Sequence, residues 1–348
     1  MKRTTIGLDL AKRVFQVHSV DEQTGEITRG KLKREQVLEY FANRESSLVA
    51  MEACGSAHYW ARQLVQLGHE VRLVSAQFVR PFVKANKTDA ADAEAIWEAA
   101  QRPGMRYVAL KSEEQQAVLG LHRVREVRVR MRVRLVNQLH GVMGEFGIAL
   151  PKGWRVMLKR AGELLSEVEE CPVPGMLREA LLDQLQQIRS LSEQIKVLER
   201  QIGAWQRRAE ECQRLAEIPG VGLLTATAAV ATMGKASSFK SGREFAAFLG
   251  LVPRQSGTGG RVKLLGISKR GDRYLRTLLI HGARTVLSWQ CRPGHELDPW
   301  LKGLLSRRAP NVGAVALANK MARTIWALLA HGRTYQRGYV GRMAPSAA

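Results

Sequence analysis

Four carboxylates occupy positions where an acidic side chain needs a partner. Asp9 lies in the apolar run TTIGLDL and Glu52 in LVAMEAC, and both runs predict buried strands. Asp89 and Asp92 are three residues apart in a segment that predicts a helix, so their side chains share one helix face. Four converging carboxylates cannot all stay ionised without cations. Two Mg²⁺ ions about 3.5–4 Å apart would neutralise them and hold the attacking and leaving oxygens of a phosphodiester.

Each of these acids also has a purely structural interpretation. An aspartate at a strand end is often a turn or capping residue, and Asp89 would suit the positive end of its helix. The segment IGLDLAKRVFQVHSVD is also compatible with the first phosphate-binding hairpin of actin-like ATPases and sugar kinases. That superfold needs a second glycine-rich hairpin with an aspartate, and the sequence contains none. Spacing alone therefore leaves the metal site and the structural interpretation both open.

A second candidate centre is the glycine-rich segment around Ser256 and Thr258. A hydroxyl there could attack a phosphate as a nucleophile, or it could only donate a hydrogen bond to one. Residues 254–276 contain one acidic residue, Asp272, and seven basic residues. The basic residues are Arg254, Arg261, Lys263, Lys269, Arg270, Arg273 and Arg276. This charge predicts that the segment binds phosphate, whichever role the hydroxyl has.

The run LAEIPGVGLLTA at 215–226 predicts two helical stretches joined by a tight glycine turn. In a helix–hairpin–helix, glycines such as Gly220 and Gly222 let backbone amides face a DNA phosphate at the start of the second helix. Such a contact is independent of sequence. A turn that only connects two packed helices is the alternative.

The net charge indicates a nucleic-acid partner. The chain of 348 residues carries +22, but residues 1–100 hold 14 basic and 13 acidic residues, so the excess lies almost entirely in 101–348. Six arginines are spread around a predicted helix at 123–134, which suits a nucleic-acid backbone beside it. They are Arg123, Arg125, Arg128, Arg130, Arg132 and Arg134.

The elements that must position these residues follow from hydrophobic periodicity. Strands are predicted at 4–10, 14–20, 27–32, 47–54 and 71–75, with helices at 34–44, 57–67 and 88–101 and Thr88 as an N-cap. Hairpin strands followed by strand–helix alternation predict an α/β domain that ends near residue 110.

The rest of the chain is predicted to be mainly helical. The segment VRVRMRVRLV at 127–136 alternates like a strand, but its flanks favour a long helix. Apolar residues then recur in steps of three and four, interrupted at Gln184, which predicts a coiled coil or an intrachain helical hairpin. They are Leu177, Leu181, Ile188, Leu191, Ile195, Leu198, Ile202 and Trp205. A third part, 213–348, is predicted to be helical with glycine-rich interruptions.

Composition also predicts the compartment. Cys54, Cys171, Cys212 and Cys291 form no CxxC pair, which suits a reduced cytosolic protein, and the histidines lack zinc-site spacing. The most apolar stretch, 312–330, is interrupted by Lys320 and Arg323, so no membrane span is expected. A signal peptide would need an unbroken apolar segment near the N-terminus, and Asp9 interrupts that segment. We therefore expect a cytoplasmic protein with no membrane partner.

Taken together, these motifs resemble a known family. GLDLAK, MEACG and NKTDAADA resemble the segments that hold the four acids of the DEDD transposases of bacterial insertion sequences, in the family numbered one hundred and ten, which is related to the Piv invertase. IPGVGLLTATA and FLGLVPRQSGTGGRVKLLGISKRGD resemble the C-terminal transposase domain of the eleven-eleven subgroup. The resemblance covers nearly the whole chain, with the motifs in the family's order.

The resemblance implies a fold and a mechanism. It implies an α/β RuvC-like (RNase H-type) domain over 1–110, a basic helix and coiled coil over 111–212, and a mainly α transposase domain over 213–348. It further implies Mg²⁺ on Asp9, Glu52, Asp89 and Asp92, a serine that links covalently to DNA, and a structured non-coding RNA that directs the enzyme. Dimers that assemble into tetramers are implied as well. Ser256 is the candidate serine, with Thr258 as the alternative because a short loop shift would align it instead.

Two other functions remain open at this point. A RuvC-like nuclease or Holliday-junction resolvase would use metal-bound water and leave no protein–DNA adduct. A non-catalytic RNA- or DNA-binding protein would use the acids for folding alone, and Asp9→Asn would then leave every activity intact.

Overall fold

A computed structural model describes residues 4–21, 24–83, 89–167, 171–259, 261–296 and 298–338, with Asp89 described by its backbone alone. Thr88, the predicted N-cap, lies outside these residues. The chain forms two compact units. The first comprises residues 1–112 together with 233–238, and the second comprises 113–232 together with 239–348.

The first unit is built on a mixed six-stranded sheet in the order β3-β2-β1-β4-β5-β6. Strands β1, β2 and β3 form an antiparallel meander, β1, β4 and β5 are parallel, and β6 closes the edge antiparallel to β5. The strands are β1 Thr5–Asp9, β2 Val14–Val20, β3 Ile27–Lys33, β4 Leu48–Glu52, β5 Glu70–Val74 and β6 Tyr107–Val108. The five predicted strands are confirmed, whereas the two-residue β6 was not predicted.

Helices cover both faces of this sheet. The alternation of each strand sends Ile6, Leu8, Val49 and Met51 into one core, and Ala50 and Val74 into the other. The helices of this unit are α1 Val37–Ala42, α2 Ala57–Gln66, α3 Ala76–Val79 and α4 Asp89–Gln101, with 3₁₀ turns at Arg34–Gln36, Arg80–Phe82 and Ala236–Ser238. The predicted helix at 34–44 thus begins as a 3₁₀ turn and ends two residues early.

The second unit is mainly helical. Its helices are α5 Glu113–Glu145, α6 Trp154–Ser166, α7 Gly175–Arg208, α8 Glu210–Ala216, α9 Leu223–Met233, α10 Gly242–Phe248, α11 Arg273–Gln290, α12 Pro299–Leu305 and α13 Pro310–His331. The alternating basic segment at 127–136 lies inside α5, so the helix prediction is confirmed. Among the described residues, no helix is both long enough and apolar enough to cross a membrane.

The predicted heptad pattern lies on α7, whose apolar face packs against α5 of the same chain. The pattern needs one correction in its middle. Leu185 and Ser192 are buried there, one residue after the predicted positions Gln184 and Leu191, which are half-buried. The buried residues still recur in steps of three and four, with two consecutive steps of three from Ser192 to Leu198. The Ser192 hydroxyl donates back to the Ile188 carbonyl at 2.8 Å, which satisfies it inside the seam.

The glycine-rich interruption of the second unit is a hairpin. Strands β7 Pro253–Ser256 and β8 Lys263–Ile267 pair antiparallel, with Ser256 opposite Lys263. The sequence predicted a loop here, and the structure corrects this: Ser256 is the last residue of a strand, and Gly257 and Gly259 follow it in the turn. The strand signal was weak because both strands are largely exposed and therefore carry no apolar alternation.

Candidate active site and nucleic-acid interface

Strand register brings Asp9 and Glu52 side by side. Strands β1 and β4 are parallel neighbours in which Gly7 lies opposite Ala50 and Leu8 lies opposite Met51. Asp9 and Glu52 are the next residues, and each ends its strand. Since the carboxyl ends of parallel strands meet at one edge, the two acids lie at the same edge of the sheet. Both side chains are half-buried.

Helix α4 packs on the face of the sheet to which these two acids belong. A Cβ atom added to Gly7 would lie 2.3 Å from the Ala93 carbonyl oxygen, so α4 crosses β1 in direct contact with that glycine. Residues two apart on a strand share a face, and therefore Asp9 points to the α4 side. Glu52 does the same, because Ala50 belongs to the core that α4 covers.

The other two predicted acids lie at the start of α4. Asp92 immediately precedes Ala93, the residue whose carbonyl touches β1, and its side chain is half-buried. Asp89 is the first residue of α4, and its side chain lies outside the described residues. The contact of Ala93 with Gly7 thus places the first turns of α4 against β1, two residues before Asp9.

The pKa of the Cys54 thiol reflects the negative charge at this edge of the sheet. Burial raises the pKa of this thiol above the ordinary value, and the negative charges of Glu52 and Asp9 raise this pKa further. The thiol therefore lies within the field of both carboxylates. Sequence reasoning did not select this residue, although its position two residues after Glu52 was a usable signal.

The acids suit a hard cation in their chemistry. Carboxylate oxygens are the ligands that divalent ions such as Mg²⁺ prefer, and two of the four already share one sheet edge. Among the described side chains, no three of the His, Cys, Asp and Glu type converge closely enough to hold a metal. That set excludes the Asp89 side chain. Asp92 is described and does not converge with Asp9 and Glu52 into such a group, so Asp9 and Glu52 are the two predicted acids that the structure brings to one sheet edge.

The serine hairpin carries an exposed, basic surface. Ser256, Arg254, Arg261 and Lys263 are all exposed to solvent. Gly257 lets the chain turn, because a Cβ atom there would lie 2.0 Å from the Arg261 carbonyl oxygen. The hydroxyl is thus placed among cations on a strand rather than on a loose loop.

The base of the hairpin is clamped by backbone contacts. A Cβ atom on Gly271, where φ is +98°, would lie 1.8 Å from the Phe248 carbonyl oxygen, so only glycine fits. Arg276 is buried and donates from Nη1 to the Leu249 carbonyl at 2.8 Å. Arg276 therefore supports the fold, whereas Lys269, Arg270 and Arg273 beside it are exposed.

The two glycines of the 219–222 turn differ in their surroundings. Gly220, with φ at +83°, packs against α11, because its added Cβ would lie 2.7 Å from the Gly282 carbonyl oxygen. Gly222 precedes α9 in open space and is exposed. Gly220 therefore has a packing reason of its own, and Gly222 is the glycine with room for a ligand.

The six arginines of α5 are not equally accessible. Arg125 is tied to Glu199 of α7 at 2.7 Å, and Arg130 pairs with Glu126 within α5. The Arg132 guanidinium lies 4.7 Å from the centre of the Trp154 ring, and burial, assisted by repulsion from Arg125, lowers its pKa. Arg123 and Arg134 are exposed and Arg128 is half-buried.

A buried histidine joins three helices of the second unit. His122 of α5 contacts the Tyr274 hydroxyl through Nδ1 at 2.9 Å and the Thr227 hydroxyl through Nε2 at 3.0 Å. Thr227 donates its own proton to the Leu223 carbonyl at 2.7 Å, so it must accept from Nε2–H, and Tyr274 must donate to Nδ1. These partners hold the ring neutral. Burial, with repulsion from Arg125, lowers its pKa to about 4.

This network predicts a loss of stability in mild acid. In the unfolded chain His122 takes up a proton below its ordinary pKa of 6.5, whereas in the fold it does so only near 4. The free energy of unfolding therefore falls as the pH drops from 6.5 to 4, by up to about 3 kcal/mol. His122→Gln keeps one donor and one acceptor without titrating, so its unfolding midpoint in urea should decline less over this range.

The control is His281→Gln, which replaces an exposed histidine of α11. This variant leaves the His122 network intact and should therefore keep the fall in stability between pH 6.5 and 4. Identical profiles for His122→Gln and wild type would contradict the assignment of a neutral His122.

Two models of transposase families match this chain, one in its N-terminal part and one in its C-terminal part. The family model described as "Transposase IS116/IS110/IS902 family" matches residues 212–297, and the DEDD transposase model for IS110 matches residues 6–148. The chain is 51% identical over 338 residues to a probable family 20 transposase of Pseudomonas aeruginosa, covering 97% of this chain and 100% of that protein.

Two transposases named for their insertion sequences are also similar. Identity is 43% to that of IS1328 from Yersinia enterocolitica, with 96% of this chain and 99% of that protein covered. Identity is 40% to that of IS1111A from Coxiella burnetii, with 96% and 91% covered. The resemblance inferred from the motifs is thereby confirmed, and the chain belongs to the IS116/IS110/IS902 family of insertion-sequence transposases, enzymes that act on DNA.

Proposed function

We propose that this transposase cuts and rejoins DNA through a covalent phosphoserine at Ser256, assisted by divalent metal at Asp9, Glu52, Asp89 and Asp92. The observation that carries the proposal is the placement of Asp9 and Glu52 at the ends of adjacent parallel strands, on the face covered by α4. Two carboxylates gathered at a half-buried edge are costly unless cations or polar partners compensate their charge.

The strand order supports a RuvC-like, RNase H-type assignment for residues 1–110. Three antiparallel strands followed by two parallel ones leave β1 central, with its carboxyl end next to that of β4. We assign residues 111–212 to the basic helix and coiled coil, and 213–348 to the transposase domain. The turn between α8 and α9 supports a helix–hairpin–helix in which Gly222 faces a phosphate.

The chemistry conserves phosphodiester bonds. The Ser256 hydroxyl gives up its proton as Oγ attacks a DNA phosphorus and forms a serine–phosphorus ester. The bond to the leaving sugar oxygen breaks, and that oxygen takes up a proton, so no proton is gained or lost overall. A hydroxyl of another DNA strand then attacks the same phosphorus and releases Ser256. Bound Mg²⁺, two ions in this proposal, would stabilise the charge that develops on the phosphate oxygens. The exposed cations Arg254, Arg261 and Lys263 orient the phosphate beside the serine.

One covalent-adduct assay distinguishes this proposal from its main alternative, a metal-dependent nuclease or junction resolvase. Protein co-expressed with the non-coding RNA that flanks its element is mixed with labelled junction DNA and Mg²⁺, then run on a denaturing gel. A protein–DNA adduct is expected for wild type, and Asp9→Asn or EDTA should remove it. Cleavage without any adduct would establish the nuclease instead. An Asp9→Asn variant with full activity would reduce the acids to a role in folding.

A structured guide RNA is the second proposed partner, and α5 is its proposed binding site. We expect the exposed pair Arg123 and Arg134 to contact RNA phosphates. Arg123→Gln with Arg134→Gln should weaken RNA binding and lower the slope of log affinity against log salt by about 2, one unit per lost contact. Filter binding from 50 to 300 mM salt measures the slope.

The matched control changes the same charge elsewhere. Arg207→Gln with Arg208→Gln alters two exposed arginines at the end of α7 and should leave the slope unchanged. Equal losses in both double variants would mean that the protein's overall charge, rather than α5, binds the RNA. Dimers that form tetramers around the RNA and DNA remain part of the proposal, and mass photometry of the loaded complex would measure them.

A further inference from the structure

A large groove lies within the second unit, beside the hairpin that carries Ser256. It encloses about 2260 Å³. Helix α13 lines it from Asn311 to His331, a length of about 30 Å at 1.5 Å per residue. The starts of α10 and α12, the hairpin strands β7 and β8, and residues 332–338 also line it.

The lining combines cations with aromatic rings. Arg243, Lys320 and Arg323 are exposed cations along the groove, and Trp300, Trp326 and Tyr335 are its aromatic residues. The Lys320 ammonium lies 4.7 Å from the centre of the Trp300 ring, and that tryptophan is 43% exposed. Rings on which bases stack, alternating with cations for the backbone, are the features by which proteins bind unpaired nucleic-acid strands.

Among the described residues that line the groove, carboxylates do not balance the positive charge. Asp298 is the one acidic residue among the described residues that line it, and its Oδ1 already accepts from the backbone amides of Trp300 and Leu301. Within the described part of the chain, no carboxylate pairs with Arg243, Lys320 or Arg323. An apolar peptide seated here would cover these cations without a partner, whereas phosphates would neutralise them.

We propose that this groove holds an unpaired stretch of the DNA strand that reacts at the hairpin. The inference rests on the proposed role of Ser256, because Pro253 of β7 lines the groove three residues before the serine. A duplex keeps its base faces inside the stack and cannot place them on Trp300, so the groove selects unpaired nucleotides. It thereby supplies a holding site for DNA near the cleavage point that needs no sequence recognition.

Binding of a labelled octamer of deoxythymidine to the full-length protein, in EDTA so that no cleavage occurs, tests this site. Trp300→Leu should weaken binding about tenfold while the salt slope stays the same, because stacking is lost but no charge is. Lys320→Gln with Arg323→Gln should lower the salt slope by about 1.4, or 0.7 per phosphate contact on a single strand. Affinity for a DNA duplex should change less than twofold in both variants.

The control pair Lys159→Gln and Arg160→Gln, on exposed positions of α6, should leave octamer binding unchanged. Equal losses in the control and groove variants would overturn the site, and so would a larger loss for an octamer of uridine, which would make it an RNA site. A bromouracil octamer photocross-linked to wild type should attach within residues 298–338, a readout that needs no variant.

Failure of this site is distinguishable from failure of the proposed serine chemistry. Ser256→Ala should bind the octamer as wild type does, since binding needs no nucleophile. Normal octamer binding without any adduct in the cleavage assay would refute the serine mechanism alone. An intact adduct with octamer binding unaffected by the groove variants would refute the groove alone.

Discussion

Replacing Ser256 with alanine should lower the yield of the covalent protein–DNA adduct by about a thousandfold or more, as loss of a nucleophile does in other enzymes. Thr258→Ala should lower it only a few fold. The difference follows from position: Ser256 ends β7 and pairs with Lys263 of β8, whereas Thr258 lies in the turn, where its carbonyl accepts from the Arg261 amide. A nucleophile must be held within about 0.5 Å of its productive position, which a strand achieves better than a turn.

Adduct yield on a denaturing gel, with both variants at equal concentration and thermal stability checked first, measures this effect. Exchange of the two outcomes, with adduct kept in Ser256→Ala and lost in Thr258→Ala, would assign the reaction to the threonine. Loss in neither variant would remove hydroxyl catalysis at the hairpin altogether.

Gly7→Ala should destabilise the first unit and abolish the adduct. The added methyl group would lie 2.3 Å from the Ala93 carbonyl oxygen and 2.8 Å from the Trp97 Cβ, so α4 would have to move away from β1. Overpacking of this kind costs about 1–3 kcal/mol, and here the obstacle is helix backbone, so we expect about 3 kcal/mol. The displaced helix carries Asp89 and Asp92, so the acids would separate as well.

The matched control is Gly30→Ala, on β3 of the same sheet. The nearest atom to its added Cβ, apart from chain neighbours, is the Val17 Cβ at 4.0 Å, an ordinary contact. This variant should keep its stability and its adduct. Urea unfolding of both variants and the adduct gel provide the comparison, and equal stability of Gly7→Ala and Gly30→Ala would contradict the close crossing of α4 over β1.

The strands of the first unit were predictable because their residues alternate between two cores. Ile6 and Leu8 face one core while Gly7 and Asp9 face α4, a pattern that hydrophobicity records directly. The register of β1 against β4 was not predictable from either strand alone, because it depends on how the helices pack. Register is what places Asp9 beside Glu52, so the sequence could propose these acids as a site but could not show that the two are neighbours.

The hairpin and α5 were harder to predict for opposite reasons. Strands β7 and β8 are largely exposed, so their residues show no alternation of apolar and polar side chains. On α5 the density of arginine was clear, but its division of roles was not, because the partners of Arg125 and Arg132 are distant in sequence, at Glu199 and Trp154. A charged residue that is bound within the chain looks the same in sequence as one that awaits a ligand.

The packing of α5 against α7 fixes the position of the basic helix α5. Two polar links join the helices: the Arg125–Glu199 ion pair, and the Gln184 amide that donates to the Leu135 carbonyl at 2.8 Å. They lie ten residues apart on α5, or about 15 Å, and so prevent the helix from sliding along α7 or turning about its own axis. The cations of this rod of about 50 Å thus keep set intervals before any nucleic acid arrives. A ligand whose phosphates match those intervals would bind a preorganised set of cations. A ligand with another phosphate spacing would have to bend to reach the same cations.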